Sequence, residues 1–197
     1  MWHRVLMSMV RRANCRRSRV TAAVGLSTIM LMLGLAGVPR TADAVAPDPT
    51  HAIIGAITYG GTGCPQGSVG KSISDDRETF TLIFDQYIAS IGPVVPISDS
   101  RKDCQLVVRI NAPVGFAFAV MHIDQRGFVQ SDAGVVGRVL ATAEVIDGNP
   151  GQSFQPPETS FAGPVSRDYL TSPSFGQVQW SACGGPSLLQ INTSTAS

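Results

Sequence analysis

Apolar residues recur at every second position in several short runs, and this constrains the fold more than any other feature. Phe80, Leu82 and Phe84 alternate with Thr81, Ile83 and Asp85. Leu106, Val108 and Ile110 alternate with Gln105, Val107 and Arg109, and Phe116, Phe118 and Val120 with Ala117, Ala119 and Met121. In a further run Ile53, Gly55, Ile57 and Tyr59 fall on one side, with Ala56 and Thr58 on the other. A period of two is the side-chain period of a strand with one face in a core. Turn signals part the runs: Gly60-Gly61-Thr62-Gly63, Ser74-Asp75-Asp76-Arg77, Gly92-Pro93, Asn111-Ala112-Pro113, Arg126-Gly127 and Asp147-Gly148-Asn149-Pro150. Residues 136–145 match helical spacing as well as alternation, and the neighbouring strands favour a strand. From Pro150 to Pro164 the chain reads as loop-rich, and Gln177–Trp180 and Leu188–Asn192 then read as two more short strands. The pattern predicts an all-β fold: an antiparallel sandwich or flattened, jelly-roll-like barrel.

Charge divides the chain. Residues 1–44 hold seven Lys/Arg and one acid, whereas the rest holds 8 basic and 13 acidic residues. Met1–Arg19 is basic, Val20–Val38 is uncharged and mostly apolar, and Pro39 and Ala42-Asp43-Ala44 follow. That is the order of a secretory signal peptide, with cleavage expected between Ala44 and Val45. A cut after Ala46 would place Pro47 next to it, and a retained membrane anchor is the competing reading of the apolar stretch. Arg16-Arg17 leaves twin-arginine export as an alternative to the general secretory route. Residues 45–51 form a Pro-containing lead-in, and 52–197 a single domain. The acidic body lacks the basic footprint of a nucleic-acid binder. The protein is expected to be secreted and extracellular, meeting a membrane only transiently through the leader.

Three cysteines follow the leader: Cys64, Cys104 and Cys183. Cys64 and Cys104 each abut an expected strand, and a bridge between them would close a loop of about 40 residues. The odd count leaves Cys183 as the expected unpaired thiol.

Tyr59-Gly60-Gly61-Thr62-Gly63-Cys64-Pro65-Gln66-Gly67-Ser68 and Phe80-Thr81-Leu82-Ile83-Phe84-Asp85 are followed by Arg101-Lys102-Asp103-Cys104-Gln105-Leu106. Asp124-Gln125-Arg126-Gly127, Phe161-Ala162-Gly163-Pro164, Asp168-Tyr169 and Trp180-Ser181-Ala182-Cys183-Gly184 come later. In this order the motifs resemble the secreted fungal and actinobacterial proteins grouped as "domain of unknown function 4360", over about residues 52–192. The resemblance implies a secreted, cysteine-containing β domain and no particular activity. It also implies a further strand region with a fourth cysteine, the analogical partner of Cys183. The chain here ends at Asn192-Thr193-Ser194-Thr195-Ala196-Ser197, so a C-terminally truncated member with an unfilled place in a sheet is expected.

No residue is assigned to catalysis, a cofactor or a metal. The glycines at 61, 63 and 67 lack phosphate-loop spacing and read as a turn presenting a disulfide. His51 and His122 stand far apart in sequence, without zinc-ligand spacing. Asp99 and Asp103 flank Arg101-Lys102 and are expected to neutralise them. The leading expectation is a non-catalytic extracellular binding or structural domain with a surface or polysaccharide partner. The alternatives are a secreted hydrolase using carboxylates among Asp85, Asp124 and Asp132, and a degenerate fragment. Two carboxylates within about 5–10 Å in a cleft would mark the hydrolase.

Overall fold

In the computed structural model most of the alternating runs are strands whose apolar faces meet in a core. The run Phe116–Met121 is instead divided between a short strand at Phe116–Ala117 and the start of a longer one at Val120, with Ala117 to Val120 all buried. The structure describes residues 3–9, 13–14, 53–75, 79–146, 153, 155–173 and 178–197. The leader core Val20–Val38, the position Ala44–Val45, the lead-in with His51, and Asp147–Pro150 lie outside the described residues.

The strands in chain order are β1 (His3–Met9), β2 (Ala13–Asn14), β3 (Ile53–Gly60), β4 (Val69–Ile73), β5 (Thr79–Phe84) and β6 (Arg101–Ala112). Then follow β7 (Phe116–Ala117), β8 (Val120–Ser131), β9 (Val136–Val145), β10 (Thr159–Ala162), β11 (Val165–Thr171) and β12 (Gly185–Ala196). Two five-stranded sheets form, in the orders β11-β8-β1-β5-β4 and β10-β9-β12-β6-β3. Each adjacent pair is antiparallel. β2 and β7 make a separate short pair.

Phe80, Leu82, Phe84 and Ile123 of the first sheet belong to the same buried cluster as Leu106, Val108, Ile110, Ala141, Ala143, Leu189 and Ile191 of the second. The layers therefore form a sandwich. The two-way segment 136–145 is β9, and Gly137, Val139, Ala141, Ala143 and Val145 point inward. Alternation wins over helical spacing there because β10 and β12 occupy both edges of the strand.

Tertiary structure alters several local readings. β3 carries a bulge between Ile54 and Ile57, so these two residues are buried while Gly55 is exposed. One extra residue shifts the alternation by one step. Arg126-Gly127 is no turn but lies in the middle of β8. In the expected strand Gln177–Trp180, Trp180 makes an isolated bridge with Ala119, and residue 177 lies outside the described residues. Leu188–Asn192 is part of a longer strand because β12 pairs with β6 along its whole length. The Ser74 turn does join β4 to β5: Ser74 Oγ accepts from Thr79 N and donates to Thr79 O, each at 3.0 Å. The basic segment expected to be a leader contributes β1, the middle strand of the first sheet.

Candidate functional site

The Gly-rich loop after β3 is organised around a disulfide. Cys64 and Cys104 are bonded, with Cα atoms 5.5 Å apart, and both are buried. Gly61 has φ +151°, and a Cβ there would strike the backbone of Asp103, so only glycine lets the loop lie this close to β6. Gly63 N donates to Asp103 O at 2.9 Å, and Gln66 Nε2 to Tyr59 O at 2.8 Å. The loop's backbone is spent on holding itself down, which is the structural role expected for it.

Cys183 is also disulfide-bonded, and no free cysteine is present among the described residues. The expectation of an unpaired thiol at Cys183 is corrected by this bond.

Arg101 and Lys102 are neutralised locally, Arg101 by Asp103 at 3.2 Å and Lys102 by Asp99 at 2.7 Å. His122 is exposed on β8. The three carboxylates of the hydrolase reading do not meet. Asp124 and Asp132 are separated by eight positions of one extended segment, or about 26 Å. Asp124 accepts a hydrogen bond from Ser172 Oγ at 2.6 Å. The register through β1 places Thr81 level with Asp124. Asp85 therefore lies four positions along and two strands across, about 16 Å from Asp124 and as far from Asp132. Glycosidase carboxyl groups stand about 5–9.5 Å apart.

The structure instead opens a cleft of about 470 Å³ at one end of the sandwich. Phe128–Asp132 of β8 and the turn after it form one wall, and Ile88–Ile91 of the loop after β5 form the other. Val139 of β9 and Thr195 of β12 come from the second sheet. Beneath the opening, Phe161 and Tyr169 pack with ring centroids 4.8 Å apart, against Val129 and Val139. The Arg167 guanidinium lies 5.8 Å from the Phe161 ring centre. Burial pushes the Tyr169 phenol well above its ordinary range. Asp132 is the one acidic side chain in the lining. Ser131 Oγ is buried there without a hydrogen-bond partner.

Two glycines shape this end. A Cβ on Gly127 would stand 2.7 Å from Tyr169 Oη, so the phenol crosses β8 where no side chain exists. A Cβ on Gly163 would overlap Asp132 O, so β10 and the β8–β9 turn also close on a bare backbone. Gly127→Ala is expected to lower stability by about 1–3 kcal/mol through overpacking. The effect should shrink when Tyr169→Leu is combined with it, read by urea denaturation of the two single variants and the double.

The loop forming the second wall was not singled out by alternation. Its signal is an uncharged apolar run, Ile88–Ile97, broken by Pro93 and Pro96. Prolines bar it from a central strand, yet it remains apolar at the surface. Val94 is 93% and Ile97 86% exposed.

Among the described residues, these features define a small disulfide-bonded β-sandwich with an end cleft that holds no pair of acidic side chains. The chain belongs to the family described as "Domain of unknown function (DUF4360)", which matches residues 50–197. It is 42% identical over 158 residues to an "Uncharacterized secreted protein" of Arthroderma benhamiae. That match covers 79% of this chain and 63% of the relative, so the chain spans less than two thirds of the relative's length.

Proposed function

We propose that the protein is a secreted, extracellular binding domain without catalytic activity, and that its ligand enters the end cleft from a surface or polysaccharide partner. The cleft itself carries this reading. It joins apolar and aromatic residues to a few hydrogen-bonding groups, the usual make-up of a binding site. Its rim bears Ile91, with Val94 and Ile97 further along the same loop, all exposed without a core to fill. The leader pattern of residues 1–44 and the secreted relative support export.

Val94→Ser with Ile97→Ser is expected to leave stability within about 0.5 kcal/mol, as for exposed positions away from special features. The same pair should weaken retention on the partner surface at least fivefold. Pull-down of the full chain on insoluble chitin, β-glucan and cellulose measures retention, and urea denaturation measures stability. Unchanged retention by the double variant on every surface that binds the wild-type chain would remove the loop from the site.

A further inference from the structure

Strand β1 pairs antiparallel with both β5 and β8, so these two run in the same direction with one strand width between them. Across that gap they stand about 9.6 Å apart, twice the strand spacing, and cannot bond to each other. Without a strand in the seam, two ladders of backbone groups would be unpaired beside Phe80, Leu82, Phe84 and Ile123 of the core. Yet the strand that closes it lies on the leader side of the expected cleavage at Ala44–Val45.

The seam is also longer than its occupant. β1 has 7 residues and β8 has 12. β1 begins at His3, level with Phe84, and its last partner along β8 is Arg126. β8 continues to Ser131, with β11 on its other side. The cleft lies along this continuation, between Phe128–Asp132 and Ile88–Ile91. Among the described residues, the seam filled by β1 and the cleft follow one another along β8.

We propose that seam and cleft together form a strand-acceptor site whose ligand is an extended peptide segment of another polypeptide. The segment lies antiparallel to β5 and β8, replaces β1 and continues into the cleft. Main-chain hydrogen bonds to both ladders supply affinity, and alternate side chains supply selectivity. Apolar residues are required at every second position, because the inner face of the seam is lined by the core and its continuation by Val129, Phe161 and Tyr169. This narrows the binding reading to a polypeptide surface partner in place of a polysaccharide, and it rests on that reading for the cleft.

The test uses the full chain and a synthetic fluorescent peptide, Val-Thr-Val-Thr followed by the sequence of His3–Met9. Leu6 pairs with both Thr81 and Asp124, so Leu6→Pro takes a ladder donor out of β1 and disfavours it as a central strand. The Leu6→Pro chain is expected to bind the peptide at least tenfold more tightly than the wild-type chain. The same peptide with proline at the position of Leu6 should not bind. If Leu6→Pro does not fold alone, hydrogen exchange on the wild-type chain decides. Slower exchange at Phe128–Ser131 and Ile88–Ile91 on adding peptide supports the site, and unchanged exchange overturns it. Equal binding of the proline-containing peptide overturns it as well. A Leu6→Pro chain that dimerises, and is made monomeric by the peptide, supports it with a second copy as donor. Retention on polysaccharide without peptide uptake overturns the strand site and keeps the binding reading; loss of both overturns both.

Discussion

Replacing Cys64 and Cys104 together by serine is expected to lower stability by about 4 kcal/mol. The bond joins residues 40 apart in sequence. In the chain-entropy model, releasing a loop of that size from the unfolded state restores about this much conformational freedom to it. The folded state suffers too, since both sulfur positions are buried and a serine hydroxyl there would need new partners. The loop from Gly60 to Ser68 would lose its anchor to β6, and β4 follows directly after it. Urea denaturation of the double variant, in a Cys183→Ser background with and without reductant, isolates this bond. A loss below about 1 kcal/mol would show that packing and the Gly63–Asp103 hydrogen bond hold the loop unaided.

Phe84→Ala is expected to cost about 3–5 kcal/mol, the range for deleting a buried aromatic ring. Phe84 is fully buried at the end of β5, with its ring centroid 5.2 Å from that of Tyr87. Tyr87 Oη donates to Thr193 Oγ1 of β12 at 2.9 Å, so the pair ties the first sheet to the second. Removing the ring leaves a cavity and loosens a tyrosine that carries a buried hydrogen bond. Phe84→Leu, which keeps most of the volume, should recover at least half of the loss. Equal losses for Ala and Leu would mean that the ring's contact with Tyr87, rather than the space it fills, is what matters. Both variants are read by the shift of the urea midpoint at unchanged slope.

Two core strands were legible because each displays its face locally, whereas β10 and β11, which bring Phe161 and Tyr169 to the cleft, lie in and just after the stretch that the sequence reads as loop-rich. Phe80, Leu82 and Phe84 mark β5, and Leu106, Val108 and Ile110 mark β6, without reference to any partner. The Cys64–Cys104 bond was legible because both cysteines abut expected strands, one in a Gly-rich turn and one at a strand start. The bulge in β3 and the placement of Gly127 inside β8 were not. A bulge is decided by the partner strand, and glycine reads as a turn unless the ring that crosses it is known. The cleft was hidden for the same reason. Its walls come from residues 88–91 and 128–132, which no local pattern connects.

The sequence by itself determined the all-β class, the main strands, the disulfide and the family. These follow from alternation, turn chemistry and ordered motifs, all of which are short-range along the chain. Tertiary structure decided which strands are neighbours, that β1 lies between β5 and β8, and that the three carboxylates stand apart. Strand order depends on long-range pairing, in which any sufficiently alternating segment can satisfy the same backbone groups. Local alternation specifies that a strand forms; only the assembled sheet specifies which edge it fills.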